Sequence, residues 1–373
     1  MVAACGAAPV ILRRYVLARA SSRALFVLLA GVLLYVVIDV MGISQQLTRG
    51  SLWQVLRLYL LRLPEMAVSL LPVAVVLGPL LAAGSLAKRH ELVAIKSCGG
   101  SMRRVTAPAF LVVGLLAAGA HGVITELVLP RTVPSAVSLQ DSVFQLRGPR
   151  FWSFYLPRRW MRTPQGFLHT RSIGSGQAKD VTYLGHDAHF APATLIHARL
   201  LRRDGDDYLM LDGSLRDLTR KAPLVRFDSL PFPEVLEQGA LEQHLGYPEV
   251  YAAPELWRVL RARASQGGAL APFALALWRR LGDPLLLLAL ALLITPIAAW
   301  ARRGQPTERR LIEGGLVLGL ALGCRGAFGA LASTASWTWS LAGLGPALVL
   351  GVLAAVLWPR VEHEGLPGST SGR

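Results

Sequence analysis

The chain has 373 residues, 53% of them hydrophobic and only 17% charged, below the roughly 25% charged residues of soluble domains, which excludes an ordinary soluble globular protein. Its formal net charge of +16 raises the question of nucleic-acid binding. The basic residues are spread through short segments between apolar runs, however, and that distribution argues against it.

A membrane span needs about 20 mostly apolar residues to cross roughly 30 Å of hydrocarbon. Taken in chain order, residues 24–47 meet this with Asp39 in their outer half. Residues 66–87 carry no charge, and 105–125 have only His121 as a polar intruder. After a long polar interval, 284–301 and 337–358 are uncharged, and 314–332 carry one charge, Arg325. The expectation is six transmembrane helices in two groups of three.

Arg13, Arg14, Arg19 and Arg23 precede the first of these spans. Lys88, Arg89, Lys96, Arg103 and Arg104 lie between the second and third, and Arg302, Arg303, Arg309 and Arg310 between the fourth and fifth. The opposite side carries Arg49, Arg57 and Arg62 in one loop and no basic residue in the other. By the positive-inside rule both termini are cytoplasmic and the long central segment is extracytoplasmic; its own arginines do not count, because long translocated domains escape the rule. No cleavable signal peptide is expected, since the first apolar run is span-length. Cys5, Cys98 and Cys324 all fall outside the central segment, which should therefore fold without disulfides.

The central block changes character. "FLHTRSI" (167–173), "TLIHARLL" (194–201), "DYLMLDGSL" (207–215) and "LVRFDSL" (224–230) alternate with period two, separated by "GSG" and "RRDGDD". This reads as antiparallel β-structure with a tight turn at Asp204-Gly205. Residues 253–267 read as an amphipathic helix leading back to the membrane. The expected divisions are 1–130 for the first three spans, 131–267 for the β domain, 268–360 for the last three spans, and 361–373 for a cytoplasmic tail.

Chemistry is sparse. None of the four lysines follows a glycine, so there is no phosphate-binding loop, and any ATP-driven step needs a separate chain. His186 and His189 are three apart and point to opposite faces of a regular strand, which reads as a polar strand end rather than a metal site. Charges inside the membrane are costly and mark candidate sites. Arg325, in "LGCRGAFG", either meets an anionic lipid or pairs with Asp39 or Glu126. Arg131, Arg279 and Arg280 surround the outer mouth, where lipid phosphates or ordinary headgroups could engage them.

The segment "SLAKRHELVAIKSCGGSMRRV" between spans two and three is mixed in character. Leu86, Leu92, Val93 and Ile95 offer apolar contact, while Lys88, Arg89, Glu91 and Lys96 offer polar contact. Gly99-Gly100 can end a helix in the left-handed conformation. A short docking helix over about 86–100 is the reading, against a plain connector.

At these residues the chain resembles the lipopolysaccharide-export permease family (LptF/LptG, YjgP/YjgQ), whose corresponding loop runs hydrophobic-x-Arg/Asn-x-Glu-Leu-x-Ala. "LPEMAVSLLPVAVVLGPLLAAGSLA", "ELVLPR" and "WRRLGDPLLLLALALLITP" resemble the family's second span, the end of its third and the start of its fourth. The resemblance implies an α-helical membrane protein with six transmembrane helices and an inserted periplasmic β-jellyroll domain. It implies a permease subunit, not itself an enzyme, that extracts lipopolysaccharide from the bacterial inner membrane and passes it to a periplasmic bridge protein for outer-membrane biogenesis. Its implied partners are a cytoplasmic ABC ATPase dimer, carrying the ATP and Mg, and a second permease of the same family, in a hetero- or homodimer. Glu91 would match the acidic residue that contacts the ATPase, with Arg89, Leu92 and Gly99 around it. Arg325, Arg131, Arg279, Arg280 and Asp39 would be the lipid-contact candidates. Asp39 stands in the outer half of the first span, where G-type members can carry a basic residue, and the F type, the G type and self-pairing all stay open. The competing class is a membrane-anchored extracytoplasmic enzyme or sensor; the segment 131–280 shows no catalytic constellation for it.

Overall fold

A computed structural model describes residues 8–48, 50–88, 91, 102–140, 143, 159–163, 165–174, 177–187, 190–204, 207–219, 223–233, 248, 251–266, 270–299, 307–332 and 338–358. Six of its helices are long and apolar enough to span a membrane. They lie within α1 (Ala8–Leu47), α2 (Leu52–Lys88), α3 (Met102–Val123) with its continuation, α6 (Ala271–Ala299), α7 (Thr307–Leu331) and α8 (Thr338–Leu357). Helix α3 continues through a π-helical turn, Ile124–Val128, into α4 (Leu129–Leu139). Helix is the form expected here, because hydrocarbon offers the backbone no hydrogen-bond partner outside the segment. The internal prolines Pro64, Pro72 and Pro79 of α2 and Pro284 and Pro296 of α6 are accommodated because neighbouring helices and local adjustment of the ladder re-satisfy the backbone groups they free.

Three helices start well before the apolar windows predict. Helix α1 takes in Arg13, Arg14, Arg19 and Arg23, α2 takes in Arg57 and Arg62, and α6 takes in Arg279, Arg280 and Asp283. A hydropathy window stops at a charge, whereas a helix continues through one that finds a partner.

The chain divides into two compact units: Met1–Gly42, Arg62–Pro130 and Ala271–Arg373 in the first, Ile43–Leu61 and Arg131–Leu270 in the second. The core of the first joins Val75, Val76 and Leu80 of α2, Phe110 of α3, Leu287, Leu290 and Ile294 of α6, and Leu350 of α8. Helices α1 and α7 are peripheral: their most apolar windows are 0% and 17% buried, against 61% for α6. Small residues let these backbones approach. A Cβ built on Gly78 would lie 2.5 Å from Ala24 Cα, one on Gly114 would lie 2.5 Å from Ala291 Cβ, and one on Gly282 would collide with the carbonyl oxygen of Gly343.

The second unit holds β1 (Arg159–Thr163), β2 (Gly166–Gly174), β3 (Gln177–His186), β4 (Pro192–Asp204), β5 (Asp207–Asp217) and β6 (Val225–Pro231), followed by α5 (Ala253–Gln266). The strands form one antiparallel sheet in chain order. Of the jellyroll expectation, the antiparallel β-structure is present. The described strands are a meander, without the crossovers that define a jellyroll.

The meander is not flat. Pairing skips one level across the sheet: Lys179↔Leu200 is followed by Val181↔Ala198, and Leu200↔Leu211 by Ala198↔Gly213. At that level Asp180 and Asp212 have φ of 55° and 51°. The inward-facing set slips by one residue there, from Ala178 to Val181, from Ala198 to Leu201 and from Phe227 to Leu230, all in one apolar cluster. This crease curls the sheet. Phe232, just beyond β6, packs edge-on against Tyr183 of β3 with ring centroids 5.2 Å apart. In a flat sheet their positions would be about 25 Å apart, given strands about 4.8 Å apart and about 3.3 Å per residue.

Candidate functional site

Alternation of helix direction brings the charged segments of the first unit together at two levels. At the end from which the chain enters and leaves the β insertion, α6 carries Arg279, Arg280 and Asp283 within one arc of about 100°, at 100° per residue. Arg280 is nearly buried. Its Nη1 donates to the Thr125 carbonyl at 2.7 Å and lies 3.3 Å from Glu126 Oε1. Both partners sit in the π-helical turn, where Leu129 N–H donates to Ile124 O in the i→i+5 pattern. Such a turn shifts the carbonyl ladder and frees an oxygen for another donor.

Asp283 faces α7. Its Oδ1 lies 3.1 Å from Arg325 Nη1, and its Oδ2 lies 3.9 Å from His121 Nε2 on α3. The guanidinium of Arg279 points toward α7 as well, its Nη2 2.9 Å from where a Cβ on Gly329 would stand. A third pair closes the ends of α1 and α2: Arg62 grips Asp39 with both amino groups, Nη1–Oδ2 at 2.7 Å and Nη2–Oδ1 at 3.3 Å. Two-point guanidinium–carboxylate contact of this kind is the strong form of the interaction.

Arg325 therefore has a bundle carboxylate as partner, and that partner is Asp283 rather than Asp39 or Glu126, which are engaged by Arg62 and Arg280. Arg131 is exposed on α4. Sequence reasoning overlooked Arg62, Asp283 and His121. The available signal was depth: each lies about level with an opposite charge once helix directions alternate.

At the opposite end, Glu91 is helical and lies three residues beyond α2. Its carboxylate accepts from Tyr15 Oη on α1 at 3.1 and 3.2 Å. Arg19 Nη1 donates to the same hydroxyl at 2.7 Å, and Arg19 Nε donates to Ser85 Oγ at 3.0 Å. Arg310, at the start of α7, is buried against Gly84 of α2. Arg89, Leu92 and Gly99 lie outside the described residues.

In the β unit, Asp187 Oδ1 accepts from the Ala191 amide at 2.9 Å, and the His186 ring lies 4.6 Å from that of Phe190. These two residues close a turn at the end of β3. His189 lies outside the described residues.

Six span-length apolar helices among the described residues, interrupted by a β insertion and with paired charges inside the helical unit, define a multi-pass membrane protein. The family model described as lipopolysaccharide export system permease LptF/LptG matches residues 14–360, nearly the whole chain, and the protein belongs to that family. No curated protein matches it.

Proposed function

We propose that this chain is a permease subunit of an ATP-driven exporter that takes lipopolysaccharide from the inner membrane and hands it to a periplasmic bridge toward the outer membrane. The chain binds no nucleotide itself; ATP and Mg belong to a separate cytoplasmic ABC ATPase dimer, and a second permease of the family completes the assembly. The termini face the cytoplasm and the β unit the periplasm, in keeping with the basic loops. The observation that carries this reading is the family match along 14–360, joined to a carboxylate, Glu91, held just beyond the second span in the segment that leads to the third.

Each part has a role. Glu91, with Arg89, Leu92 and Gly99, docks on the ATPase. Arg279, Arg280 and Arg325, grouped with Glu126 and Asp283, serve an anionic headgroup nearby, with exposed Arg131 as a direct contact. Asp39 serves Arg62 and holds two spans together. The curled sheet, lined by Leu168, Val181, Ile196, Leu201 and Met210, works as a jellyroll-like trough for acyl chains. Affinity purification in mild detergent tests the assembly: an ABC ATPase and a second six-span permease should co-purify. Glu91→Lys should keep the permease folded but remove the ATPase and export, since losing one partner of a charge pair at an interface costs roughly 2–5 kcal/mol. Wild-type recovery of the ATPase with normal export would refute the docking assignment.

A further inference from the structure

The contacts of Glu91 reach further than a plain connector requires. A carboxylate has about four acceptor positions, and Tyr15 Oη spans the two oxygens with one hydrogen, at 3.1 and 3.2 Å. Among the described residues nothing else engages the carboxylate, and its outward lone pairs can meet a basic group on another protein. Tyr15 is itself fixed. Arg19, one turn along α1, donates to its oxygen at 2.7 Å and lies 5.7 Å from its ring centroid. A hydroxyl that accepts from a guanidinium is polarised and donates more strongly.

Arg19 is fixed in turn, because its Nε donates to Ser85 Oγ and that hydroxyl donates to the Ala82 carbonyl at 2.8 Å. Two turns of the first span thus hold a carboxylate 76 residues away in sequence and grip the end of the second span at the same time. The guanidinium meets the hydroxyl and not the carboxylate, so Glu91 keeps its charge for a partner.

We propose that Tyr15 and Arg19 are the positioning residues of the coupling carboxylate: they set Glu91 for the ATPase and tie any displacement of it to the first span. The inference rests on the ATPase-docking role proposed for Glu91. A mobile glutamate would have to be ordered on docking, and a preset one would not. A hydrogen bond to a charged carboxylate corresponds to roughly a tenfold change in an equilibrium or more; docking senses only the share of it that orders Glu91, roughly threefold to tenfold.

The test is a double-mutant cycle on the full-length permease in detergent, titrated with its purified cognate ABC ATPase. Glu91→Ala should weaken docking. Tyr15→Phe, which removes one oxygen, should weaken docking roughly threefold to tenfold when Glu91 is present. Added to the Glu91→Ala variant it should leave docking unchanged, and the melting temperature of the permease should not move in either case. Arg19→Gln should follow Tyr15→Phe. If Glu91→Ala weakens docking but Tyr15→Phe is silent, or acts equally with and without Glu91, the positioning role is overturned and the docking role stands. If Glu91→Ala docks like the parent, both fall together.

Discussion

Arg325 on α7 and Asp283 on α6 neutralise one another inside the helical unit, Nη1 to Oδ1 at 3.1 Å, with side chains 36% and 16% exposed. A lone arginine at mid-span costs about 2.5–3.5 kcal/mol on insertion scales, and the aspartate offsets much of that. Of the two partners raised for this arginine, the structure supplies the carboxylate. Arg325→Ala should cost about 1–3 kcal/mol of stability in lipid-free detergent, read as a lower melting temperature. This is less than the roughly 3–5 kcal/mol for breaking a fully buried pair, since Arg325 is partly solvated. Replacing both residues, Arg325→Met with Asp283→Leu, should recover most of the loss. An Arg325→Ala protein that melts like the parent, but whose complex loses lipopolysaccharide-stimulated ATP hydrolysis, would instead make lipid its partner.

The pair between Arg62 and Asp39 is deeper, at 6% and 12% side-chain exposure, and has two contacts. Arg62→Ala should cost about 3–5 kcal/mol because it takes both guanidinium contacts away from a buried carboxylate. Asp39→Asn keeps an acceptor for the guanidinium and should cost about 1–3 kcal/mol. Denaturation of the two variants in detergent gives the order, and equal losses would show that the pair is not holding α1 to α2.

Much of the architecture was legible because the bilayer and the pleat impose simple periods. The runs around Val75, Leu290 and Leu350 could only be spans, and "TLIHARLL" could only be a half-buried strand. What escaped was everything that depends on a second segment. The helical stretch around Arg279, Arg280 and Asp283 fell outside the apolar window of 284–301 because hydropathy scores each charge alone, without Glu126 and Arg325 beside it. The crease escaped because strict alternation cannot foresee the slip between Ala198 and Leu201. Tyr15, on the first span, carried no local signal for a partner as distant as Glu91.

The crease makes its own prediction. Asp212 sits at φ 51°, where a residue with a Cβ is strained and Asp or Asn is tolerated better than most because its side chain can bond locally. Asp212→Gly should be close to neutral. Asp212→Val should destabilise the β unit by about 1–2 kcal/mol and expose β4 and β5 to protease in the full-length protein. The reverse order of protection, with the glycine variant cut faster, would mean that the aspartate side chain and not the backbone holds the curl.

Gly282 is where the two most closely packed helices touch. A Cβ there would run into the carbonyl oxygen of Gly343 and lie 2.8 Å from its carbonyl carbon, while one on Gly343 would strike Trp278. These obstacles are mostly backbone, and no rotamer change moves them. Gly282→Ala therefore has to push α8 away from α6, and so loosen the core cluster to which Leu290 and Leu350 both belong. Ordinary overpacking costs about 1–3 kcal/mol; a backbone obstacle should bring this substitution to the upper end, even though alanine is the better helix former by about 1 kcal/mol. The same substitution at Gly319 of α7 meets nothing within 4 Å and should be neutral or slightly stabilising. The comparison cancels helix propensity, because both are glycine-to-alanine changes in a span. Melting the two variants side by side in detergent should give a clear loss for Gly282→Ala and none for Gly319→Ala. If the two melt alike, the close approach of α6 and α8 is not what sets the stability of the helical unit.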